Sequence, residues 1–272
     1  MSEQIYEHHL SLKQDRLCPF KFKSSRNLRD SVCNWHANIE ILLVTEGTGR
    51  VQYNADDLAL EKHDIIVVNS GDLHRIYSNS GISFDYIIID ESFCEENGIH
   101  TGEYRYDRIF QCERIENICL YAHDRYKEYK SDPTEINIAR LRLAVLELLV
   151  ELCSQHSVHV SSVPSFQKST QNYVKKVLEY VAEHYTEPVS LEEIANVCGI
   201  TKYHLAREFK RYTGQTLITY VNILRCKKAE VCISEGMTVT EAAIECGFDS
   251  ISYFSRTYKK LMGDIPSSKK SQ

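Results

Sequence analysis

An internal repeat constrains this chain more than any other feature of its sequence. Ser190 to Gly199 reads SLEEIANVCG, and a matching segment, TVTEAAIECG, runs from Thr238 to Gly247, forty-eight positions later. Each copy opens with a hydroxyl residue followed three positions later by glutamate, the capping-box pattern that satisfies backbone amides at a helix start. Each copy ends on glycine, the residue that most readily takes the positive φ of a sharp helix exit. The repeat therefore predicts two short helices, each followed by a tight turn.

A second amphipathic segment follows each turn, Tyr203 to Lys210 in the first copy and Ser252 to Lys259 in the second. Thr201 and Asp249 are candidates for the caps of these helices, and the offset between the copies is now forty-nine, so the second turn is one residue longer. A helix-turn-helix that enters the major groove needs a small residue where its helices cross, a glycine at the turn and a basic second helix. We interpret both copies as helix-turn-helix units; the alternative is an all-helical packing domain with a coincidental repeat.

The stretch from about Gln171 to Lys270 resembles the DNA-binding domain of the AraC/XylS family of transcription regulators. The chain departs from that pattern at Tyr258, where the family usually has phenylalanine, and in the tail 267–270, where an aromatic-basic pair is common. The resemblance implies sequence-specific binding of double-stranded DNA, and contact with RNA polymerase if the protein is an activator. The match is carried by Ala243-Ile-Glu-Cys-Gly-Phe248, Ser252-Tyr-Phe-Ser-Arg256, Lys259, Lys260, Gly263 and Pro266.

Positions in the family motif assign the DNA-contacting side chains. Residues near the start of a recognition helix reach base edges, and the basic residues further along it serve phosphates. Arg207 and Arg256 occupy equivalent places in the two copies and are the first choices for DNA contact, through either a base edge or a phosphate. The predicted DNA-binding residues are Lys202, Tyr203, Ala206, Arg207, Lys210 and Arg211 in the first unit, and Ile251, Ser252, Ser255, Arg256, Lys259 and Lys260 in the second.

The N-terminal part has the pattern of an antiparallel β domain. Short apolar runs alternate with turn residues at even spacing, which indicates a sandwich or barrel over residues 15–95. We therefore predict an α+β chain: an N-terminal cupin-like antiparallel β-barrel with helices, followed by an all-α DNA-binding domain with two helix-turn-helix motifs. The predicted strands are 39–44, 50–53, 58–60, 65–68, 74–77 and 83–89.

The details of this domain resemble a cupin. Asn34-x-His36-x3-Glu40-x6-Gly47 is similar to the first cupin motif, and Asn69-x-Gly71-x2-His74 to the core of the second. His36, Glu40 and His74 would then meet as two imidazoles and one carboxylate. Asn34 stands where the first metal histidine is usual, so the resemblance implies no metal or other cofactor. We assign His36, Glu40, His74 and the neighbouring Trp35 to an effector-binding pocket instead, with packing outside the pocket as the alternative for Trp35.

Helical periodicity predicts helices over 108–129 and 133–155. The second helix has apolar residues on more than one stripe. The additional apolar surface either packs on a partner chain to give a homodimer, or is covered by the barrel and the first helix. The predicted organisation is an N-terminal arm and effector-sensing barrel at 1–107, a helical dimerisation segment at 108–156, a linker at 157–169, and the DNA-binding domain at 170–272.

Charge and cysteine content narrow the function classes. Residues 168–272 carry a net charge of +3 and residues 1–167 a net charge of −9, so the repeat lies in the basic part of the chain. Ten cysteines at irregular spacing, with no basic and apolar leader, indicate reduced thiols and a cytoplasmic protein. No apolar run is long enough to cross a membrane.

The function predicted from the sequence is a regulator that senses a small polar effector, with sugars favoured by the family resemblance, and not an enzyme. Two alternatives stay open: a metal-dependent cupin enzyme fused to a DNA-binding domain, and a regulator that has lost its ligand.

Overall fold

The computed structural model describes residues 17–159 and 165–267, and for residues 165–171 it describes the backbone. The predicted N-terminal arm before Arg16, part of the predicted linker and the end of the tail lie outside these residues.

The N-terminal domain is an antiparallel sheet curled into a half-barrel, as predicted. Its strands follow the order β4-β3-β6-β2-β5-β8, and β1 pairs with β6. The predicted strands 74–77 and 83–89 form one long strand, β6, which bends at Gly81 with a φ of 100°. The bend lets its first part pair with β3 and its second part with β2. The strands are β1 Phe20–Asp30, β2 Ile39–Gly47, β3 Gly49–Tyr53, β4 Asp56–Leu60, β5 Ile65–Val68, β6 His74–Ile89, β7 Tyr104–Tyr106, β8 Ile109–Phe110 and β9 Ser157–His159.

Strand β2 is buried on both faces because it separates two cores. Ile41 and Leu43 point to the core shared with the sensor helices, whereas Leu42 and Val44 point to the interior of the half-barrel. Side chains alternate along a strand, so Glu40 has the parity of Leu42 and faces the interior. This register places a carboxylate inside the sensor domain.

Three helices cover the outer face of the sheet: α1 Glu91–Glu96, α2 Glu113–Ser131 and α3 Glu135–Gln155. The predicted helix 108–129 starts too early, because Ile109 and Phe110 pair with β5 as strand β8. The predicted linker also starts too early, because β9, which begins at Ser157, pairs with β7. Backbone pairing with strands distant in the chain overrides the local pattern at both places.

The C-terminal domain is helical and contains both predicted helix-turn-helix units. Helix α4 is already formed at Ser165, inside the predicted linker 157–169, which corrects that boundary. Gly199 and Gly247 have φ values of 67° and 81°, as expected for the two turns. The helices are α4 Ser165–His184, α5 Leu191–Val197, α6 Lys202–Thr213, α7 Leu217–Ser234, α8 Val239–Glu245 and α9 Ile251–Met262.

The helix caps match the repeat with two differences. The reciprocal capping box forms at Thr238, whereas at Ser190 the structure shows one half of it, a bond of 3.4 Å from the amide of Glu193 to the serine hydroxyl. Thr201 caps α6 as predicted, but Ser250 rather than Asp249 caps α9. The extra residue in the second turn moves the cap by one position.

Helix α7 joins the two units by contributing to both of their cores. Tyr220 and Leu224 belong to the core of the first unit, and Cys226 and Ala229 to the core of the second. The first core also includes Cys33 and other side chains of the sensor domain. The sensor domain therefore packs directly on the first unit.

Within the described ranges, no helix combines the length and apolar character needed to span a bilayer. The ten cysteines are free thiols.

Candidate DNA interface and sensor cavity

The start of α6 presents the predicted contact residues of the first unit. Leu205 and Phe209 are fully buried and hold the helix against its core. The neighbouring positions Tyr203, Ala206 and Arg207 are exposed, and the Tyr203 side chain is 78% accessible. Lys202 is half-buried, while Lys210 and Arg211 are exposed further along the helix. One face of α6 thus carries every residue that the family motif assigns to DNA in this unit.

Helix α9 repeats this arrangement in the second unit. Phe254 and Tyr258 are fully buried, so the departure from the family pattern at Tyr258 is accommodated in the core. The hydroxyl of Tyr253, a residue not assigned from the sequence, accepts a hydrogen bond of 2.9 Å from Asn222 on α7. The assigned residues lie on the outer side of the helix: Ile251, Ser252, Arg256, Lys259 and Lys260 are exposed and Ser255 is half-buried.

The interior of the half-barrel holds a cavity of about 210 Å³ that is partly open. Its lining includes the polar side chains of Glu40 and His74 and the apolar side chains of Leu42 and Phe84. Its lining also includes Tyr220 and Lys227 of α7, so the DNA-binding domain forms part of the cavity. The sequence predicted a cavity inside the barrel, but not that a helix of the other domain would border it.

Three of the four predicted effector residues come together, but His36, unlike Glu40 and His74, is not part of the cavity lining, which corrects its assignment. The Glu40 carboxylate lies 3.0 Å from Nε2 of His36 and 3.1 Å from Nε2 of His74. All three side chains are at most 8% exposed. Burial alone would raise the pKa of Glu40, but the bonds from the two histidines hold it well below its usual range. The carboxylate is therefore ionised inside the protein.

Backbone carbonyls fix how the two imidazoles are turned. His36 Nδ1 lies 2.7 Å from the carbonyl of Asn38, and His74 Nδ1 lies 3.3 Å from the carbonyl of Asp72. These carbonyls and the Glu40 carboxylate hold the two rings from both sides, because each Nε2 atom faces Glu40 at hydrogen-bond distance.

The residues fit a metal ion by their chemistry and spacing. One ligand atom from each of His36, Glu40 and His74 lies within 4.8 Å of the others. Two ligands bound at about 2.1 Å to one ion lie about 3.0–3.4 Å apart, and the distances from Glu40 to the two ring nitrogens, 3.0 and 3.1 Å, fall in this range. Two imidazoles and one carboxylate suit a divalent transition metal, and the carbonyl bonds at Nδ1 are the orienting contacts that such ligands have.

Trp35 does not line the cavity, contrary to its assignment as an effector-binding residue. Its ring lies under the ammonium group of Lys175 on α4, 4.3 Å from the ring centre. It packs against the core of the first helix-turn-helix unit. A large aromatic ring at this position is held by the apolar surface of the neighbouring domain rather than by the barrel interior.

A second group of interdomain contacts lies near the end of α6. Arg75 binds both carboxylate oxygens of Asp30 at 2.7 Å, and Gln215, which precedes α7, donates to the same carboxylate at 3.2 Å. The hydroxyl of Tyr220 donates to the carbonyl of Cys33 at 2.9 Å. Sequence reasoning missed these residues, because no local pattern marks a contact between positions 185 residues apart.

Comparisons with known proteins agree with this architecture. Residues 27–149 match the model of the AraC-like ligand binding domain, and residues 194–272 match that of a helix-turn-helix domain. The chain is similar to the HTH-type transcriptional regulator YbfI of Bacillus subtilis (strain 168), with 33% identity over 230 residues that cover 81% of this chain and 80% of the relative. It is also similar to the regulator YdeC of that organism, with 23% identity over 257 residues, 87% of this chain and 85% of the relative.

Among solved structures, an apo form of a ToxT point variant from Vibrio cholerae strain SCE256 shares the fold. Its TM-score is 0.52 at 14% identity, and the match covers 92% of this chain and 96% of that one.

The half-barrel, its cavity and the two helix-turn-helix units define a DNA-binding transcription regulator with a ligand-binding domain. The chain belongs to the AraC family of these regulators, which confirms the resemblance seen in the second repeat copy. Its relatives are named as transcriptional regulators, so a cupin enzyme fused to a DNA-binding domain is not favoured.

Proposed function

We propose that this protein controls transcription by binding one operator through both recognition helices while a small polar effector occupies the cavity of the half-barrel. The observation that carries the proposal is the composition of the cavity wall. It combines Glu40 and His74 of the sensor domain with Tyr220 and Lys227 of the DNA-binding domain. An effector that touches both domains has a direct means of changing how they pack.

DNA binding would use the outer faces of α6 and α9. Arg207 and Arg256 read base edges, since an arginine can pair bidentately with guanine. The basic residues further along each helix, such as Arg211 and Lys260, bind phosphates and fix the register. Helix α7 contributes to the cores of both units and keeps them at a set separation on the duplex.

The effector would be recognised by hydrogen bonds at one end and apolar contacts along its side. The ionised Glu40 accepts hydrogen bonds from hydroxyl or amino groups, and Phe84 offers an apolar surface. A sugar has both features, and other small polyhydroxyl or amino compounds share them.

Coupling would run through α7. Effector binding shifts an equilibrium only by its differential affinity for two arrangements. Tyr220 touches the cavity and also bonds to the backbone of Cys33, so occupancy changes the stability of the contact that joins the domains. Whether the predicted arm before Arg16 also takes part is a separate proposal, which deletion of the first fifteen residues tests through effector dependence.

Dimerisation would use α3. Ile136, Leu143 and Val150 are seven residues apart and are 61%, 67% and 53% exposed. Apolar residues at this interval form the seam of a two-stranded coiled coil, and a second copy of the same chain would cover it. A homodimer binds two operator half-sites with higher effective affinity. We place the protein in the cytoplasm with its DNA, in contact with RNA polymerase if it activates transcription.

A selection experiment tests the proposal. The purified full chain is offered a library of random duplexes, and the enriched site is used to measure affinity by fluorescence anisotropy. The double change Arg207→Ala plus Arg256→Ala should lower affinity for this site by about 2–6 kcal/mol if both arginines read bases. Unchanged affinity would show that the recognition helices are assigned incorrectly. Effector candidates, beginning with a panel of sugars, are then scored by their effect on this affinity in the wild type and in Glu40→Gln.

A second candidate is a sensor whose effector binds with the help of a metal ion. The triad of His36, Glu40 and His74 favours it, because two ring nitrogens and one carboxylate oxygen converge within 4.8 Å of one another. Bound there, a divalent metal would act as a Lewis acid toward an oxygen ligand in the cavity. Metal analysis of the purified protein, with melting curves after chelation and after addition of Zn²⁺, Fe²⁺ or Ni²⁺, decides between the candidates. A melting temperature that rises with metal in the wild type, but not in Glu40→Gln, supports the metal sensor, and identical curves exclude it.

A further inference from the structure

The two recognition helices differ in how their basic residues are paired. In the first unit Lys202 lies 3.2 Å from Glu192, and Arg207 and Arg211 lie 3.0 and 2.6 Å from Glu208. Within the described ranges, no carboxylate lies within ion-pair distance of the basic side chains of α9: Arg256, Lys259 and Lys260. Thr257 occupies the position in α9 that Glu208 occupies in α6. The repeat is therefore symmetric in fold but not in charge.

Glu208 lies underneath the two arginines that it binds. Its side chain is 8% exposed, whereas those of Arg207 and Arg211 are 71% and 50% exposed. Burial alone would raise the pKa of Glu208, but the hydrogen bond from Arg207 and the charge of Arg211 lower it. The group is thus an ionised carboxylate covered by two cations on the face that meets DNA.

The contacts of Arg207 occupy one edge of its guanidinium group. Its Nε donates to Glu208 at 3.0 Å, and one terminal nitrogen donates to Nδ1 of His204 at 3.1 Å. Nε2 of His204 in turn lies 3.2 Å from the hydroxyl of Tyr173 on α4. The chain of contacts anchors the arginine to a second helix of the domain.

The remaining edge of Arg207 is free to read a base. A guanidinium group has five N–H donors, and the pair of terminal nitrogens forms a fork that matches O6 and N7 of guanine. Holding Nε and one N–H of a terminal nitrogen leaves the outer N–H groups of this fork available, on a side chain that is 71% exposed. An arginine that is already ordered loses less conformational entropy when it binds, which favours one specific contact over many loose ones.

We propose that Glu208 is a positioning residue that, together with His204, orients Arg207 toward a guanine. We call these two contacts to Arg207 the brace. The first unit then supplies stringent base recognition, while the second unit, whose described residues form no such brace, supplies more of the phosphate attraction. The inference rests on the proposed contact between Arg207 and a base. It assigns unequal roles to two helices that the repeat makes look equivalent.

The test uses the full chain and the duplex enriched by the wild type, together with every single-base variant of it and a scrambled duplex. Glu208→Gln removes the charge of the brace and keeps its size. His204→Ala removes the second contact to Arg207 without changing the carboxylate. It replaces Glu208→Gln in the test if that variant has a lowered melting temperature. Glu192→Gln is the matched control, because it frees Lys202 but leaves Arg207 braced.

We expect Glu208→Gln and His204→Ala to relax the preference for guanine at one position by about 10-fold, at the position that Arg207→Ala also relaxes. Added to Arg207→Ala, Glu208→Gln should cause no further loss of preference there. Glu192→Gln should leave the base profile unchanged. Binding of the scrambled duplex by Glu208→Gln should become tighter, with a steeper dependence on salt.

The inference is overturned if Glu208→Gln tightens binding to all duplexes equally and keeps the base profile, because the carboxylate would then act as a screen and not as a brace. If the wild type enriches no sequence, the proposed DNA contacts fail as well. If it enriches a site that Glu208→Gln and His204→Ala read with unchanged preference, the inference alone fails.

Discussion

Replacing Gly247 with alanine tests how the second helix-turn-helix unit is locked to the first. Gly247 has a φ of 81°, and a Cβ atom added there would lie 2.2 Å from the carbonyl oxygen of Thr186 and 2.8 Å from its carbon. The matching residue of the first unit, Gly199, has a φ of 67°, and a Cβ atom there meets nothing within 4 Å. The two glycines therefore share a backbone conformation and differ in their surroundings.

The magnitude follows from these contacts. Alanine in the left-handed region costs about 1–2 kcal/mol at either position. At Gly247 the backbone of Thr186 must also move by about 1 Å to restore an ordinary contact. That backbone is held on both sides by Arg225, which donates to the carbonyl of Tyr185 at 2.5 Å and to that of Glu187 at 2.8 Å. Losing one such charged hydrogen bond costs about 1.5–3 kcal/mol, so Gly247→Ala should cost about 2.5–5 kcal/mol in all.

Urea unfolding of the full chain, followed by far-ultraviolet circular dichroism, measures the difference between Gly247→Ala and Gly199→Ala. Trp35, the single tryptophan, lies at the domain boundary and reports by fluorescence whether that boundary opens in the same transition. Gly247→Ala should also weaken binding to the selected duplex, since α9 loses its support. Equal free energies of unfolding for the two variants, within about 0.5 kcal/mol, would refute the role assigned to the contact with Thr186.

Three further predictions follow from single contacts. Leu143→Glu should convert the proposed homodimer to a monomer in sedimentation velocity without lowering the melting temperature, because this side chain is 67% exposed; a dimer that persists would exclude the seam on α3. Tyr220→Phe should cost about 1 kcal/mol of unfolding free energy by removing the bond to Cys33, and should reduce the effect of the effector on DNA affinity; an intact response would exclude coupling through this bond. Thr238→Ala should destabilise the protein by about 0.5 kcal/mol more than Ser190→Ala, because only Thr238 forms the reciprocal capping box; the reverse order in thermal melts would contradict the cap geometry.

The elements that the sequence predicted are those with a local signal. Short apolar runs between turn residues placed the strands from Ile39 to Val68, and the repeat placed α5, α6, α8 and α9, because both patterns are set by neighbours within a few residues. Strand β1 was given no bounds, because the first thirty residues lack firm periodicity and could form either a strand or a mobile arm, although Phe20-Lys-Phe-Lys23 alternates between apolar and charged residues. Helix α1, six residues long, was missed because so short a helix offers less than two turns of periodicity.

The residues of the candidate sites also divide into those with a local sequence signal and those without one. The exposed faces of α6 and α9 could be read from the motif, because helical spacing decides which side of an amphipathic helix is buried. Spacing also indicated that His36, Glu40 and His74 meet, and the structure brings them together. The brace formed by Glu208 was not foreseen, because the sequence shows a charge at that position but not the rotamers that aim it at Arg207.

By itself, the sequence determined the class of the protein and the two units that carry DNA recognition, since capping residues, turn glycines and helical periodicity act within one or two turns of the chain. Only the tertiary structure decided that Trp35 lies outside the cavity, that Tyr220 and Lys227 border it, and that Gly247 is locked by Thr186 while Gly199 is free of such a contact. These features depend on how two domains and two repeat units pack against each other. The physical reason is that packing joins residues far apart in the chain, and it follows from shape and buried area rather than from any local pattern.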